Sequence, residues 1–158
     1  MAYATDTTIW GLIIALIGVL IGCRSFSYQC KKDKLSDFVK LQEYISKANG
    51  DAQKILPIMI KSGRMLNPDD PDRGEIKDME HAVSLLEAIV NAMDPEKHKV
   101  EDIRNWLARF HALQLHLTGI AEMASNKTPK QVIVEILYLK DEIDQIAESL
   151  PQLNEHVE

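Results

Sequence analysis

Apolar residues are arranged along this chain in two different ways. From Ile9 to Cys23, IWGLIIALIGVLIGC, they are nearly continuous and leave no polar face at any helical angle. From residue 36 onward they recur every three or four positions, the period of an amphipathic helix. Phe38, Leu41 and Ile45 mark a first such helix in SDFVKLQEYISKANG, opened by Ser36 or Asp37 and stopped at Asn49-Gly50. Ile55, Leu56, Ile58, Met59 and Ile60 mark a second, short or kinked because Pro57 lacks a backbone donor. NPDDPDRG, residues 67–74, is a break. Ile76, Met79, Val83, Leu86, Val90 and Met93 then define a helix over 75–94. Asp94-Pro95 reads as the cap and first position of a long helix whose face is Val100, Ile103, Trp106, Leu107, Phe110, Leu113, Leu117 and Ile120. Gly119 within it either bends the helix or admits a close neighbour. Thr128-Pro129 repeats the opening signal for a last helix carrying Val132, Ile133, Ile136, Leu139, Ile143, Ile146 and Leu150. No strand pattern competes. The predicted fold is all-α: an N-terminal single transmembrane helix followed by an antiparallel bundle of about five helices.

The continuous run sets the predicted organisation. Seventeen uncharged residues separate Asp6 from Arg24, roughly 26 Å of helix against a hydrocarbon core of about 30 Å. Arg24 can snorkel, Phe26 and Tyr28 extend the span through one interface, and Trp10 and Tyr3 suit the other. Residues 1–8 are then a short extracytoplasmic tail and 9–30 the span with a basic extension. Residues 31–150 form the helical bundle, and 151–158 a polar tail. Arg24, Lys31, Lys32 and Lys34 against Asp33 give residues 24–34 a net charge of +3. Basic residues are retained on the cytoplasmic side, so this collar predicts an N-terminus outside and a cytoplasmic C-terminal domain. Gly11, Ala15, Gly18 and Gly22 share one helix face, and small residues there permit close helix–helix approach in lipid. Membrane lipid, and a membrane protein or a second copy packed on this face, are the predicted partners.

Composition and charge narrow the rest. Residues 35–158 hold 14 basic and 22 acidic side chains, which with the collar and Asp6 gives −6 overall. An acidic body is a poor attractor of nucleic acid, which is bound through clustered Lys and Arg. Cys23 and Cys30 stand about 10 Å apart along one helix, too far for a disulfide. The acidic 67–74 stretch lacks the glycine of a calcium loop, since Glu75 stands sixth from Asp70. No Glu-x-x-His pair, haem motif, glycine-rich phosphate loop or nucleophile elbow is present, so no cofactor or metal is expected.

Two local resemblances supply alternatives. Leu20-Ile21-Gly22-Cys23 resembles the lipobox of bacterial lipoproteins, which implies processing and lipidation at Cys23. Arg104-Asn105 followed by His111 resembles the R-x(4–6)-H motif of HEPN ribonucleases, themselves all-helical bundles. Seven residues apart, Arg104 and His111 share a helix face, where the resemblance implies phosphate stabilisation by the Arg and proton transfer by the His. Arg109 and His116 repeat the spacing on the other flank. The main expectation is a non-catalytic, membrane-anchored interaction or accessory module: a small subunit, assembly factor or scaffold. The alternatives are a membrane-tethered HEPN-like nuclease using Arg104 and His111, and a lipoprotein beginning at Cys23.

Overall fold

A computed structural model describes residues 4–151, with side chains described from residue 15 onward. Four α-helices account for almost all of them: α1 (Ala4–Lys61), α2 (Pro71–Ala92), α3 (Val100–Ala124) and α4 (Pro129–Ser149). A single 3-10 turn, Pro95–Lys97, precedes α3. The chain divides into two units, Met1–Ser36 and Asp37–Glu158.

In the second unit, three polar rungs tie α1 to α3: Asp37 with Arg104, Tyr44 with His111, and Asp51 with Thr118. Partners in the two hydrogen-bonded rungs are 67 residues apart, so both helices advance in the same direction. Gln42 meets Asn91, and Asn49 meets Ser84 and Glu87, which sets α2 antiparallel to α1. Trp106 reaches Ser149 and His116 reaches Glu142, so α4 runs antiparallel to α3 while packing on α2 as well. The bundle is therefore not wholly antiparallel: α1 with α3, and α2 with α4, are parallel neighbours.

Burial explains the continuous α1. Phe38, Leu41, Ile45, Ala48, Ala52, Ile55 and Met59 alternate by three and four and are all buried, as facing seams require. The expected stop at Asn49-Gly50 does not occur. Its local penalty is about 1 kcal/mol for glycine, and the buried stripe on both sides outweighs it. Pro57 is likewise inside the helix. It lies on an exposed side together with Gln53, so the carbonyl it deprives of a partner faces water. The helix ends instead at Gly63, whose φ of 72° lets the Arg64 N–H return to the Met59 carbonyl at 3.0 Å.

The other boundaries show one consistent shift. α2 begins at Pro71, inside the stretch expected to be loop, because Asp70 accepts the Asp72 N–H at 3.0 Å and Pro71 fits the first position. Asp94-Pro95 makes the same cap, yet it yields only the 3-10 turn. Apolar burial resumes at Ile103, so nothing holds residues 98 and 99 in helix. Thr128-Pro129 opens α4 as expected, with the Thr128 N–H donating to the Gln131 side chain at 3.0 Å. The total is four helices rather than about five.

The transmembrane expectation is overturned. Among the described residues, no helix is long and apolar enough to cross a membrane. The described side chains of the apolar run, from Ala15 to Cys23, are all exposed. Arg24, Lys31, Lys32, Asp33 and Lys34 then follow within the same helix. The single-pass placement and the sidedness drawn from the basic collar fall with it. Gly11, Trp10, Tyr3 and the tail 152–158 lie outside the residues whose side chains are described.

Candidate functional site

The Arg and His pairs of α3 each face a neighbouring helix. Arg104 and His111 do share a face, and that face is turned to α1. Arg104 Nε donates to Asp37 at 3.3 Å, and the His111 ring stacks on Tyr44 with centroids 4.7 Å apart. Arg109 and His116 face α4 instead. Arg109 donates to the Gln145 carbonyl at 3.2 Å, and His116 Nδ1 lies 2.9 Å from a Glu142 carboxylate oxygen. The repeated seven-residue spacing thus follows from α3 lying between two helices. Trp106 Nε1 also donates to the Ser149 carbonyl at 3.2 Å. With Arg109 it occupies carbonyls of the last two turns of α4, where a cation complements the helix dipole.

A polar cluster crosses from α1 to α2. The Asn49 amide donates to Glu87, and its oxygen accepts from Ser84 at 3.0 Å and from Gln53 at 3.2 Å. Both acceptor positions of that amide and one of its two N–H donors are therefore used within the fold. Nearby, the Thr118 hydroxyl donates to Asp51 at 2.6 Å, and Lys54 donates to the same carboxylate at 2.8 Å. Burial pushes the Asp51 carboxyl upward, but the bonds from Lys54 and Thr118 outweigh it and hold the group below the usual aspartate range. No buried side-chain polar atom lacks a partner among the described residues, and no trio of His, Cys, Asp or Glu there stands close enough to hold a metal.

Two surface features are of a different kind. In the first unit every described side chain from Ala15 to Asp33 is exposed, among them Leu16, Ile17, Val19, Leu20 and Ile21. A side chain built at Gly18 or Gly22 would meet nothing of this chain within 4 Å. Ala15 continues their face. Arg24, Lys31 and Lys32 are exposed and Lys34 is half-buried. Cys23 and Cys30 are exposed free thiols.

The second feature lies on the outside of the bundle. An open groove of about 340 Å³ runs between α3 and α4, with Gly119 and Met123 in it and Leu115 and Tyr138 exposed along its sides. Glu135 and Glu142 stand on its α4 edge. The pattern of core positions does not disclose it, because Leu115 and Tyr138 fall off the buried stripes; an apolar residue on the polar face of a helix was the available signal. No known protein family, curated protein or solved structure matches the chain.

Proposed function

We propose that the protein is a non-catalytic helical interaction module that associates through the apolar segment of α1. The observation that carries this reading is the uninterrupted exposure of Leu16, Ile17, Val19, Leu20 and Ile21 in one helical stretch. Large contiguous apolar surface on a folded chain marks a contact site. Ala15, Gly18 and Gly22, at spacings of three and four, leave one side of that stretch without bulk, so a second helix can approach it closely. Further support comes from the engagement of the candidate catalytic pair: Arg104 is bound by Asp37 and His111 by Tyr44.

The test is substitution of the small face. Gly18→Leu with Gly22→Leu is expected to reduce cross-linked complexes of the full chain severalfold at about 1 M salt, where charge contacts are screened, while the circular dichroism of the bundle is unchanged. Undiminished cross-linking by that folded variant would refute the reading.

A further inference from the structure

We propose that the groove between α3 and α4 receives the basic Arg24–Lys34 segment of a second copy of this chain. The inference goes beyond the interaction-module reading, since it uses a different surface and a different force. Three observations on the groove point to such an occupant. Its interior is apolar and unfilled, with about 340 Å³ open beside Leu115 and Tyr138, which are 55% and 77% exposed. Gly119 occupies a helix interior, where glycine is disfavoured relative to alanine. A side chain there would nevertheless meet nothing within 4 Å of its Cβ, so no packing within the described fold calls for the gap. The α4 edge carries two carboxylates, Glu135 and Glu142, with Tyr138 between them on the same helix face; Glu142 also meets His116 of the groove lining at 2.9 Å and offers its remaining acceptor positions to the occupant.

The Arg24–Lys34 segment offers the matching pattern. Arg24 and Lys31 are exposed and seven residues apart, as Glu135 and Glu142 are. On a helix that spacing is about 10 Å along one face, so two cations meet two carboxylates in a single register. Tyr28, 73% exposed, lies between Arg24 and Lys31 as Tyr138 lies between Glu135 and Glu142, and supplies an aromatic ring for the apolar interior. The slot between α2 and α4 is the weaker host, because it opens only about 70 Å³ and Lys140 stands on its lining. With one segment and one groove in each copy, reciprocal insertion closes a two-fold dimer.

Sedimentation velocity of the full-length Gly18→Leu/Gly22→Leu chain, from which the apolar contact has been removed and into which every further substitution is introduced, tests the proposal. The expected result is a monomer–dimer equilibrium that weakens at least about tenfold between about 0.1 M and about 1 M salt, as the Debye length shrinks from about 10 Å to about 3 Å. Arg24→Glu with Lys31→Glu, and separately Glu135→Lys with Glu142→Lys, are each expected to be monomeric. An equimolar mixture of the two variants is expected to restore the dimer, because every segment then faces a groove of opposite charge. Gly119→Leu is expected to retain its helical spectrum and lose the dimer. The salt-sensitive dimer survives Gly18→Leu/Gly22→Leu, which separates this contact from the apolar one. A monomer at every concentration at low salt overturns the proposal. So does a dimer that persists in the folded Gly119→Leu chain or in either charge-reversed variant alone.

Discussion

Asp51 and Glu80 titrate in opposite senses, and each gives stability a pH dependence of its own. The Asp51 carboxyl lies below its usual range because Lys54 and Thr118 outweigh its burial. Its contribution is therefore present above the ordinary aspartate value of about 3.9 and disappears as pH falls through the lower folded value. Asp51→Asn is expected to cost about 1 kcal/mol at neutral pH, measured by urea unfolding, with the difference closing in that acidic window. Burial raises Glu80 in spite of Lys77. Glu80 favours the fold while protonated and loses that advantage as pH rises past the ordinary glutamate value, so Glu80→Gln is expected to be neutral or stabilising at pH 7. Glycines divide in the same way. At Gly63, with φ of 72°, alanine is expected to destabilise by about 1 kcal/mol. At Gly50, where an added Cβ meets nothing within 4 Å, alanine is expected to stabilise by up to about 1 kcal/mol. Thermal melts of the two variants should shift in opposite directions.

At the scale of elements, the core stripes were legible in the chain and the ends of the helices only partly. Ile76, Met79, Val83, Leu86 and Val90, read from their spacing alone, are all buried in α2. The same holds for Ile103, Trp106, Phe110, Leu113, Leu117 and Ile120 in α3. Boundaries were harder because a local signal competes with burial that the sequence does not display. Asn49-Gly50 and Pro57 look like stops, yet the stripe from Phe38 to Met59 carries α1 through both. Asp94-Pro95 looks like a start and gives one turn, because no buried residue follows until Ile103. Asp70-Pro71 carries the same signal and was hidden by the prolines and aspartates around it. Asp70→Ala is expected to remove the cap of α2 and cost about 1 kcal/mol, seen as a lower urea midpoint at unchanged m-value. The Arg–His pairs were legible as a spacing but not as a role. Two neighbours use that spacing, and neighbours are a tertiary fact.

For the molecule as a whole, the division near residue 36 has a sequence cause. The three-and-four stripe that is buried from Phe38 onward would continue backward through Lys34, Lys31, Ser27 and Arg24. Those positions offer no apolar surface to a bundle, and the second unit starts at Asp37. A chain comprising residues 37–158 is therefore expected to unfold in one cooperative transition with the full chain's midpoint within a few degrees, by circular dichroism. It is also expected to be monomeric, having lost both the apolar stretch and the basic segment. The continuous apolar run suggested a membrane rod, but among the described residues no helix is long and apolar enough to cross a membrane. The described part of the run, Ala15 to Cys23, passes within one helix into a segment with five charged residues, Arg24 to Lys34.

The evenly spaced rungs between α1 and α3 make α2 a gauge. To leave one helix and enter the next at the same level and in the same direction, the polypeptide must travel back along the bundle, and α2 with its two connections is that return journey. Its 22 residues, about 33 Å of helix, fix the level at which Arg104, His111 and Thr118 are delivered to Asp37, Tyr44 and Asp51. Lengthening α2 alone would misalign all three meetings together, so bundles of this plan can grow or shrink only by matched heptads in every helix.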